Sequence, residues 1–215
     1  MGIGERFGLF WKAFVNPEQA FSAEAGKKAA ITDGLINSLL AFIIVPIIIV
    51  LLSLAGPKAD VAGGLLVAAA ALACLVALGF VLAVLYRFVA GMLGGKGSLE
   101  KAYYVFSIYF ALTVYAYLLL SILYFGVMAS VSSLPVAGIL LLPLFMVVAY
   151  TAFAYLLYVL GIAAANAQGV GSLKGIFSAM VSIGIIFAVL LMVLYAAYGS
   201  LAFQALAGGA GSVPY

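Results

Sequence analysis

Side chains that could perform catalysis or bind a metal are scarce in this sequence. Its 215 residues include no histidine and one cysteine, Cys74, which lies in the apolar run VAAAALACLVALGF. A histidine base, a His or Cys metal cluster and a disulfide framework are therefore excluded. None of the six acidic residues lies near the middle of a long apolar run, so paired carboxylates for proton transfer are missing as well. We predict a protein that is not an enzyme and that uses no cofactor or metal.

The strongest candidates for a ligand-binding cleft are Tyr115, Tyr117, Tyr150 and Tyr155. They lie near the middle of two long apolar runs, where each hydroxyl needs a hydrogen-bond partner. This placement predicts either a polar cleft between two helices or ordinary packing, with the hydroxyls bonded to neighbouring carbonyls. Four other hydroxyl residues are expected to bond backbone within or between helices: Ser107, Thr113, Ser121 and Thr151.

The stretch GMLGGKGSLE resembles a phosphate-binding loop, but its Gly-Lys pair is not followed by Ser or Thr, and no strand precedes it. We interpret it as a cytoplasmic turn, and we expect no nucleotide binding of the phosphate-loop type. The residues assigned to the cytoplasmic connections are Gly94, Gly95, Lys96, Lys101 and Lys174.

The elements that carry these residues follow from composition. The chain is 68% hydrophobic and 7% charged, with a mean hydropathy of +1.36. So few charges cannot coat a water-soluble domain of this size, which predicts an integral membrane protein. Uncharged runs long enough to cross a bilayer predict five transmembrane helices. They cover residues 34–54, 61–86 (with an extension to 93), 104–128, 134–165 and 176–206.

The fold class is therefore an all-α polytopic membrane bundle with an N-terminal amphipathic interfacial helix. Residues 1–32 are assigned to a cytoplasmic interfacial segment, 33–206 to the transmembrane domain and 207–215 to a flexible tail. Of the nine Lys and Arg residues, all but Lys58 fall on one side of these spans. Because cytoplasmic segments retain positive charge, the N-terminus is predicted inside and the C-terminus outside the cell membrane. Pro46 should kink the first span.

The N-terminal segment is aromatic and amphipathic. Its apolar residues share one helical face and are assigned as interfacial anchors: Ile3, Phe7, Phe10, Trp11 and Phe14. That face is predicted to lie on lipid, to pack against the ends of the bundle, or to dock a partner. Asn16 can cap a second helix that begins at Pro17, which predicts a helix break there.

Arg87 is the deepest basic residue, so it needs either a partner or access to the headgroups. Asp33, at the same membrane level, is the candidate for a cytoplasmic-side ion pair with it. Neutral polar residues near the span ends are expected to hydrogen-bond between helices: Asn37, Asn166, Gln168 and Gln204.

Three stretches carry a resemblance to a known family: FVNPEQAF before the first span, GGKGSLEKAYYVFSIY opening the third, and YLLYVLGIAAANAQGVGSLKGIFSAMVSIGII through the last connection. In this order they resemble the Yip family, five-span membrane proteins first known as interactors of Ypt/Rab GTPases, with prokaryotic relatives. The resemblance implies a non-enzymatic role in membrane organisation or as a subunit of a complex.

Two functional hypotheses remain. The first is a scaffold or adaptor whose basic, aromatic cytoplasmic face binds anionic lipid headgroups or another membrane protein; nucleic acid is not an expected partner. The second is a transporter or channel component with a cleft between the third and fourth transmembrane helices. An odd number of spans without inverted halves disfavours the second hypothesis.

Overall fold

The computed structural model describes the backbone of residues 1–28, 30–55, 61–133 and 135–209, and side chains over 1–28, 30–55, 61–131 and 140–193. Within these ranges every regular element is an α-helix. In chain order they are α1 (Ile3–Val15), α2 (Pro17–Ala25), α3 (Ile31–Phe42), α4 (Ile44–Ala55), α5 (Val61–Met92), α6 (Leu99–Ser133), α7 (Pro135–Gln168) and α8 (Ser172–Gly209).

Among the described residues, five stretches of helix are long and apolar enough to cross a membrane. They are Ile31–Ala55, which combines α3 and α4, then Val61–Met92, Leu99–Val131, Leu140–Gln168 and Ser172–Val193. The predicted all-α membrane bundle with five spans is thus confirmed, and the chain is an integral membrane protein. Of the predicted tail, residues 210–215 lie outside the described part of the chain, as does the side chain of Gln204.

The first span is interrupted where the sequence predicts a kink. α3 ends at Phe42 and α4 begins at Ile44, so the break at Ile43 lies three residues before Pro46. Proline has no N–H to donate to the carbonyl of Phe42, four residues earlier, and its ring crowds that carbonyl. The interruption therefore has a local cause in the sequence.

α6 is the central helix of the bundle. It contacts α3, α5 and α7, and the N-terminal helices α1 and α2 also pack against it. As a result Ala102–Ile108 is buried on every side, with Val105, Phe106 and Ser107 fully inaccessible. A helix that is enclosed all round carries bulky apolar residues without a polar face, as this stretch does.

Buried residues concentrate at one end of the bundle, which we call the packed end. It comprises α1, α2 and α3 and the segments 83–112, 156–168 and 175–182. The opposite part, which we call the far end, comprises α4 and the segments 117–128 and 140–153. There α4 buries no residue, and large side chains such as Phe125 and Leu140 are 71% and 73% exposed. Buried contacts and polar contacts therefore gather at the packed end, whereas the side chains of the far end are mostly exposed.

α1 and α2 form a helical hairpin on the packed end. α1 ends at Val15 and α2 begins at Pro17, which is the position of the helix break predicted from the sequence. Asn16 Oδ1 accepts a hydrogen bond from the backbone N–H of Gln19 at 3.3 Å, and its amide donates to Gln19 Oε1 at 3.2 Å. This cap satisfies a backbone donor that the first turn of α2 cannot satisfy within the helix.

Candidate functional site at the packed end

A buried ion pair attaches α1 to the first span. Arg6 is 3% exposed, and its Nη2 lies 2.6 Å from Asp33 Oδ1. Arg6 Nη1 donates to Asn37 Oδ1 at 2.6 Å and to the Asp33 carbonyl at 3.3 Å. A buried guanidinium is tolerated only when it is paired and hydrogen-bonded, and here three acceptors on α3 meet that requirement.

This geometry corrects the predicted partner of Asp33. The sequence suggested Arg87, but Asp33 pairs with Arg6, whereas Arg87 is exposed and donates through Nε to the Gly97 carbonyl at 3.4 Å. The physical reason is the orientation of α1. Its buried residues are Arg6, Leu9, Phe10 and Ala13, so the face that carries Arg6 turns toward α3 and supplies the closer cation.

A second buried charge attaches α2 to the centre of the bundle. Glu24 is 5% exposed; its Oε2 accepts from the Tyr104 hydroxyl and its Oε1 from Lys27 Nζ, both at 2.6 Å. Tyr104 belongs to the enclosed stretch of α6. Both oxygens of the carboxylate therefore have a donor, which offsets the loss of its hydration.

Tyrosine hydroxyls make further contacts between helices. Tyr155 Oη donates to the Phe14 carbonyl, and Tyr115 Oη donates to the Leu40 carbonyl at 2.9 Å. Tyr158 Oη lies 3.0 Å from Glu18 Oε1. In a membrane, where helix association gains little from the hydrophobic effect, such hydrogen bonds help to fix one helix against another.

The four tyrosines of the predicted cleft do not converge. Tyr115 and Tyr155 donate to backbone carbonyls, while Tyr117 and Tyr150 are 50% and 67% exposed. A groove of about 450 Å³ does lie between α6 and α7, but of these four tyrosines Tyr155 alone lines it. Its walls are otherwise almost entirely apolar. Of the two alternatives that the sequence left open, the polar cleft is therefore wrong, and Tyr115 and Tyr155 follow the other, packing with hydroxyls bonded to carbonyls.

The predicted interfacial anchors divide into two groups. Phe10 is 3% exposed and belongs to the core, whereas Ile3, Phe7, Trp11 and Phe14 are between 40% and 67% exposed. Phe7 contacts the ring of Tyr115, with ring centroids 6.5 Å apart, and Phe14 contacts that of Tyr155 at 5.6 Å. The exposed side of α1 thus adjoins the bundle and continues its apolar surface.

Two adjoining grooves follow this exposed side of α1. The first, about 300 Å³, is bounded by Phe7, Trp11 and Phe14 on one side and by Tyr115 and Leu119 of α6 on the other. Phe14 also lines the groove between α6 and α7. An apolar channel therefore leads from the aromatic side of α1 along the surface of the two helices.

The connection between α5 and α6 is a short glycine-rich turn packed against the end of α7. Gly94 has φ +92°, and Lys96 N–H donates to the Gln168 carbonyl at 3.0 Å. A Cβ atom at Gly97 would lie 2.0 Å from the Ala167 carbonyl oxygen, so only glycine fits there. Lys101 and Lys174, assigned to connections by sequence, instead lie in the first turns of α6 and α8.

The polar residues singled out by sequence have different surroundings. Asn37 binds Arg6, and Asn166 Nδ2 donates to the Ile162 carbonyl within its own helix. Gln168 is 2% exposed, and neither of its side-chain polar atoms has a partner among the described residues. The four hydroxyl residues singled out by sequence donate to carbonyls three or four residues earlier, as expected: Ser107, Thr113, Ser121 and Thr151.

Sequence reasoning missed Arg6 and Glu24, the two most deeply buried charges described here. The only signal was their position: each lies close in sequence to apolar residues that pack inward, such as Phe10 and Phe21. Spacing within α1 or α2 cannot reveal a partner that lies on another helix.

Comparison with known proteins adds no relative: no family model, no curated protein and no solved structure matches this chain. The resemblance to the Yip family stays a prediction. The candidate site is therefore defined by the structure alone. It consists of the α1–α2 hairpin with its two buried charges and the exposed aromatic side of α1.

Proposed function

We propose that the protein is a non-enzymatic membrane scaffold or adaptor, a subunit of a complex whose contact surface is the α1–α2 hairpin. The observation that carries the proposal is the anchoring of this hairpin. Arg6 and Glu24 are buried and paired with α3 and α6, while Phe7, Trp11 and Phe14 stay exposed. A segment held by two buried charges presents its exposed side chains in fixed positions, which favours specific contact.

The exposed side of the hairpin has the character of a membrane-interface surface. Trp11 is 67% exposed beside the apolar groove, Lys12 is exposed on α1, and Lys27 and Lys28 are exposed just after α2. Tryptophan prefers the headgroup layer, and lysines are attracted to anionic lipid. These features support an arrangement in which the hairpin lies in the headgroup layer and meets either lipid or a neighbouring membrane protein there.

The charge distribution supports an orientation for this arrangement. The eight Lys and Arg residues that the structure describes all lie on the side of the spans that carries the hairpin, and Lys58 lies outside the described residues. Positive charge is retained on the cytoplasmic side, so we place the N-terminus in the cytoplasm and the C-terminus outside the cell membrane. The role implied by the Yip resemblance, membrane organisation without catalysis, is compatible with this placement.

A transport function is not proposed. The groove between α6 and α7 is apolar and open at the side, and the tyrosines expected to make it polar bind backbone carbonyls or are exposed at the far end. A pathway for a polar solute needs polar groups at mid-depth.

The test is recovery of co-purifying membrane proteins with the tagged full chain in mild detergent. Three forms are compared: wild type, Trp11→Ala, and Leu173→Ala as a matched control. Leu173 is 83% exposed in the first turn of α8, outside the hairpin. We expect one partner in fixed ratio with wild type and Leu173→Ala, and its loss with Trp11→Ala. Equal recovery with all three forms, or no partner with any of them, contradicts the proposal.

A further inference from the structure

A second pocket lies at the packed end, away from the hairpin, between the last turns of α5, the glycine-rich turn and the start of α6. We call it the glycine-turn pocket. Its volume is about 590 Å³, and its lining includes Arg87, Lys96, Gly97 and Gln168. None of these residues takes part in the contacts that attach α1 and α2.

The pocket combines two cations with the N-terminus of a long helix. Arg87 and Lys96 are both exposed, and α6 starts at Leu99 and continues for 35 residues. The first N–H groups of a helix have no partner within it and favour negative charge. Ser98 Oγ accepts from the Lys101 N–H at 3.2 Å, so this end is capped in part. Glu100 in the first turn of α6 interacts electrostatically with Arg87, and this one acid beside the two cations leaves a net positive charge at the pocket.

At the opposing end of α5, two of the last carbonyls are occupied: Ala90 O accepts from Gly95 N–H at 2.8 Å and Gly91 O from Gly94 N–H at 3.1 Å. This is how a helix that ends in a left-handed glycine satisfies its free acceptors. The two cations therefore dominate the charge of the pocket.

An independent observation points to a ligand. Gln168 lines the pocket, is 2% exposed, and has neither Nε2 nor Oε1 hydrogen-bonded to any described residue. A buried amide with both polar atoms unpaired is destabilising, and such groups in native proteins call for a specific explanation. A bound oxyanion with hydroxyls would supply both an acceptor and a donor if the amide of Gln168 turned toward the pocket.

The wall of the pocket that α5 forms is mainly apolar. Val84, Phe88 and Met92 recur at intervals of four residues on α5, and all three are exposed on one face of the helix. A ligand with a phosphate at one end and hydrocarbon at the other matches both parts of the pocket. Basic pockets beside transmembrane helices bind anionic lipid headgroups in the same way.

We propose that the glycine-turn pocket binds the phosphate of an anionic phospholipid, with Arg87 and Lys96 contacting the phosphate, Gln168 bonding the headgroup and the acyl chain lying along Val84 and Phe88. The inference rests on the proposed placement of this end at a headgroup layer, and it adds a lipid site that does not involve the hairpin.

The experiment is native mass spectrometry of the purified full chain in mild detergent. The probes are phosphatidylglycerol, a diacylglycerol with the same acyl chains, and inorganic phosphate. We expect wild type to bind phosphatidylglycerol at least tenfold more tightly than diacylglycerol, since charge-assisted contacts to phosphate are worth about that much each. Arg87→Gln and Lys96→Gln should each remove about tenfold of this preference. Lys174→Gln, an equal change of charge on the same side, should leave it unchanged.

Gln168→Leu separates the ligand role from packing. It should lower the affinity for phosphatidylglycerol severalfold while the protein stays folded, because the leucine fills the same space without bonding the headgroup. Unchanged affinity in this variant overturns the assignment of Gln168. Equal loss of lipid in Lys174→Gln and Arg87→Gln shows diffuse attraction by surface charge and overturns the site.

Inorganic phosphate, the third probe, tests whether the pocket binds a free anion rather than a lipid. Inorganic phosphate should not displace phosphatidylglycerol, because it lacks the acyl contacts. If inorganic phosphate binds alone and displaces the lipid, the pocket is an anion site and the lipid assignment is wrong. Trp11→Ala should retain the lipid adducts, so failure of this site and failure of the hairpin as a contact surface give different results.

Discussion

The packed end and the far end of the bundle use different means of holding helices together. At the packed end, α6 is enclosed from Ala102 to Ile108, and charges and hydroxyls bond across helices. At the far end, α4 buries no residue, and side chains such as Phe125 and Leu140 are largely exposed. The far end has the more apolar sequence and yet buries fewer side chains, so hydropathy alone does not decide where packing occurs.

The difference follows from lipid as the solvent. Lipid tails are as apolar as leucine, so burying apolar side chains between helices gains little. Close packing, small residues and hydrogen bonds must supply the specificity, and the packed end concentrates all three. Gly97 lies against Ala167, Gly34 against the ring of Tyr103, and Arg6 against α3. Variants at matched positions of the two ends should therefore differ in their effects.

The largest effect is expected from Gly97→Ala. The new Cβ would lie 2.0 Å from the Ala167 carbonyl oxygen, and backbone must move to relieve the clash. We expect a loss of about 3 kcal/mol in the free energy of unfolding, measured by SDS titration of the protein in mixed micelles. Gly126→Ala is the control at the far end, where a Cβ meets nothing within 4 Å. Equal effects at both glycines would contradict the distinction between the ends.

The next largest effect is expected from Arg6→Ala. It removes the cation that pairs with Asp33, and it removes the hydrogen-bond donor to Asn37 Oδ1 on α3. Asp33 is 40% exposed, so water regains part of the lost interaction, and we expect a loss of about 2 kcal/mol. The same titration measures it, with Lys12→Ala as the control because Lys12 is an exposed cation on the same helix. A loss no larger than that of Lys12→Ala would mean that the ion pair does not stabilise the hairpin.

A smaller effect is expected from Tyr104→Phe. The variant keeps the ring but removes the hydroxyl that donates to the buried Glu24 at 2.6 Å. Lys27 still binds the carboxylate, so we expect a loss of about 1.5 kcal/mol. Tyr150→Phe makes the same chemical change at a side chain that is 67% exposed at the far end, and it should be nearly neutral. If both variants were neutral, Glu24 would not depend on Tyr104.

The smallest effect is expected from Phe125→Ala at the far end. Its side chain is 71% exposed within a membrane span, so in a bilayer truncation should exchange a ring for lipid tails. We expect a change of less than about 0.5 kcal/mol in the free energy of unfolding. A loss above about 2 kcal/mol would show that this surface is packed, and would place a neighbouring protein where we place lipid.

The sequence was sufficient for features with a local cause. Hydropathy located the spans, Asn16 and Pro17 located the end of α1, and Pro46 lies beside the interruption of the first span. Each of these depends on residues within one or two turns, so periodicity and capping rules apply directly.

Contacts between helices were not predictable in the same way. The aromatic stripe of α1 indicated a helix, but an apolar face can turn toward lipid as readily as toward the bundle. The structure buries Phe10 and leaves Trp11 exposed, and it turns Arg6 inward. Membrane depth alone predicts Arg87 as the partner of Asp33. The actual partner is Arg6, on a helix whose rotation the sequence does not determine.

The central claim is that the exposed aromatic side of α1 lies in the headgroup layer beside the packed end. Trp11 is the only tryptophan in the chain, so its fluorescence reports this position without a label. The measurement is quenching of Trp11 in reconstituted vesicles by lipids brominated at different acyl depths and by aqueous iodide. We predict strong quenching by bromine near the headgroups and weak quenching by iodide. Strong quenching by iodide with no effect of the brominated lipids would contradict the claim.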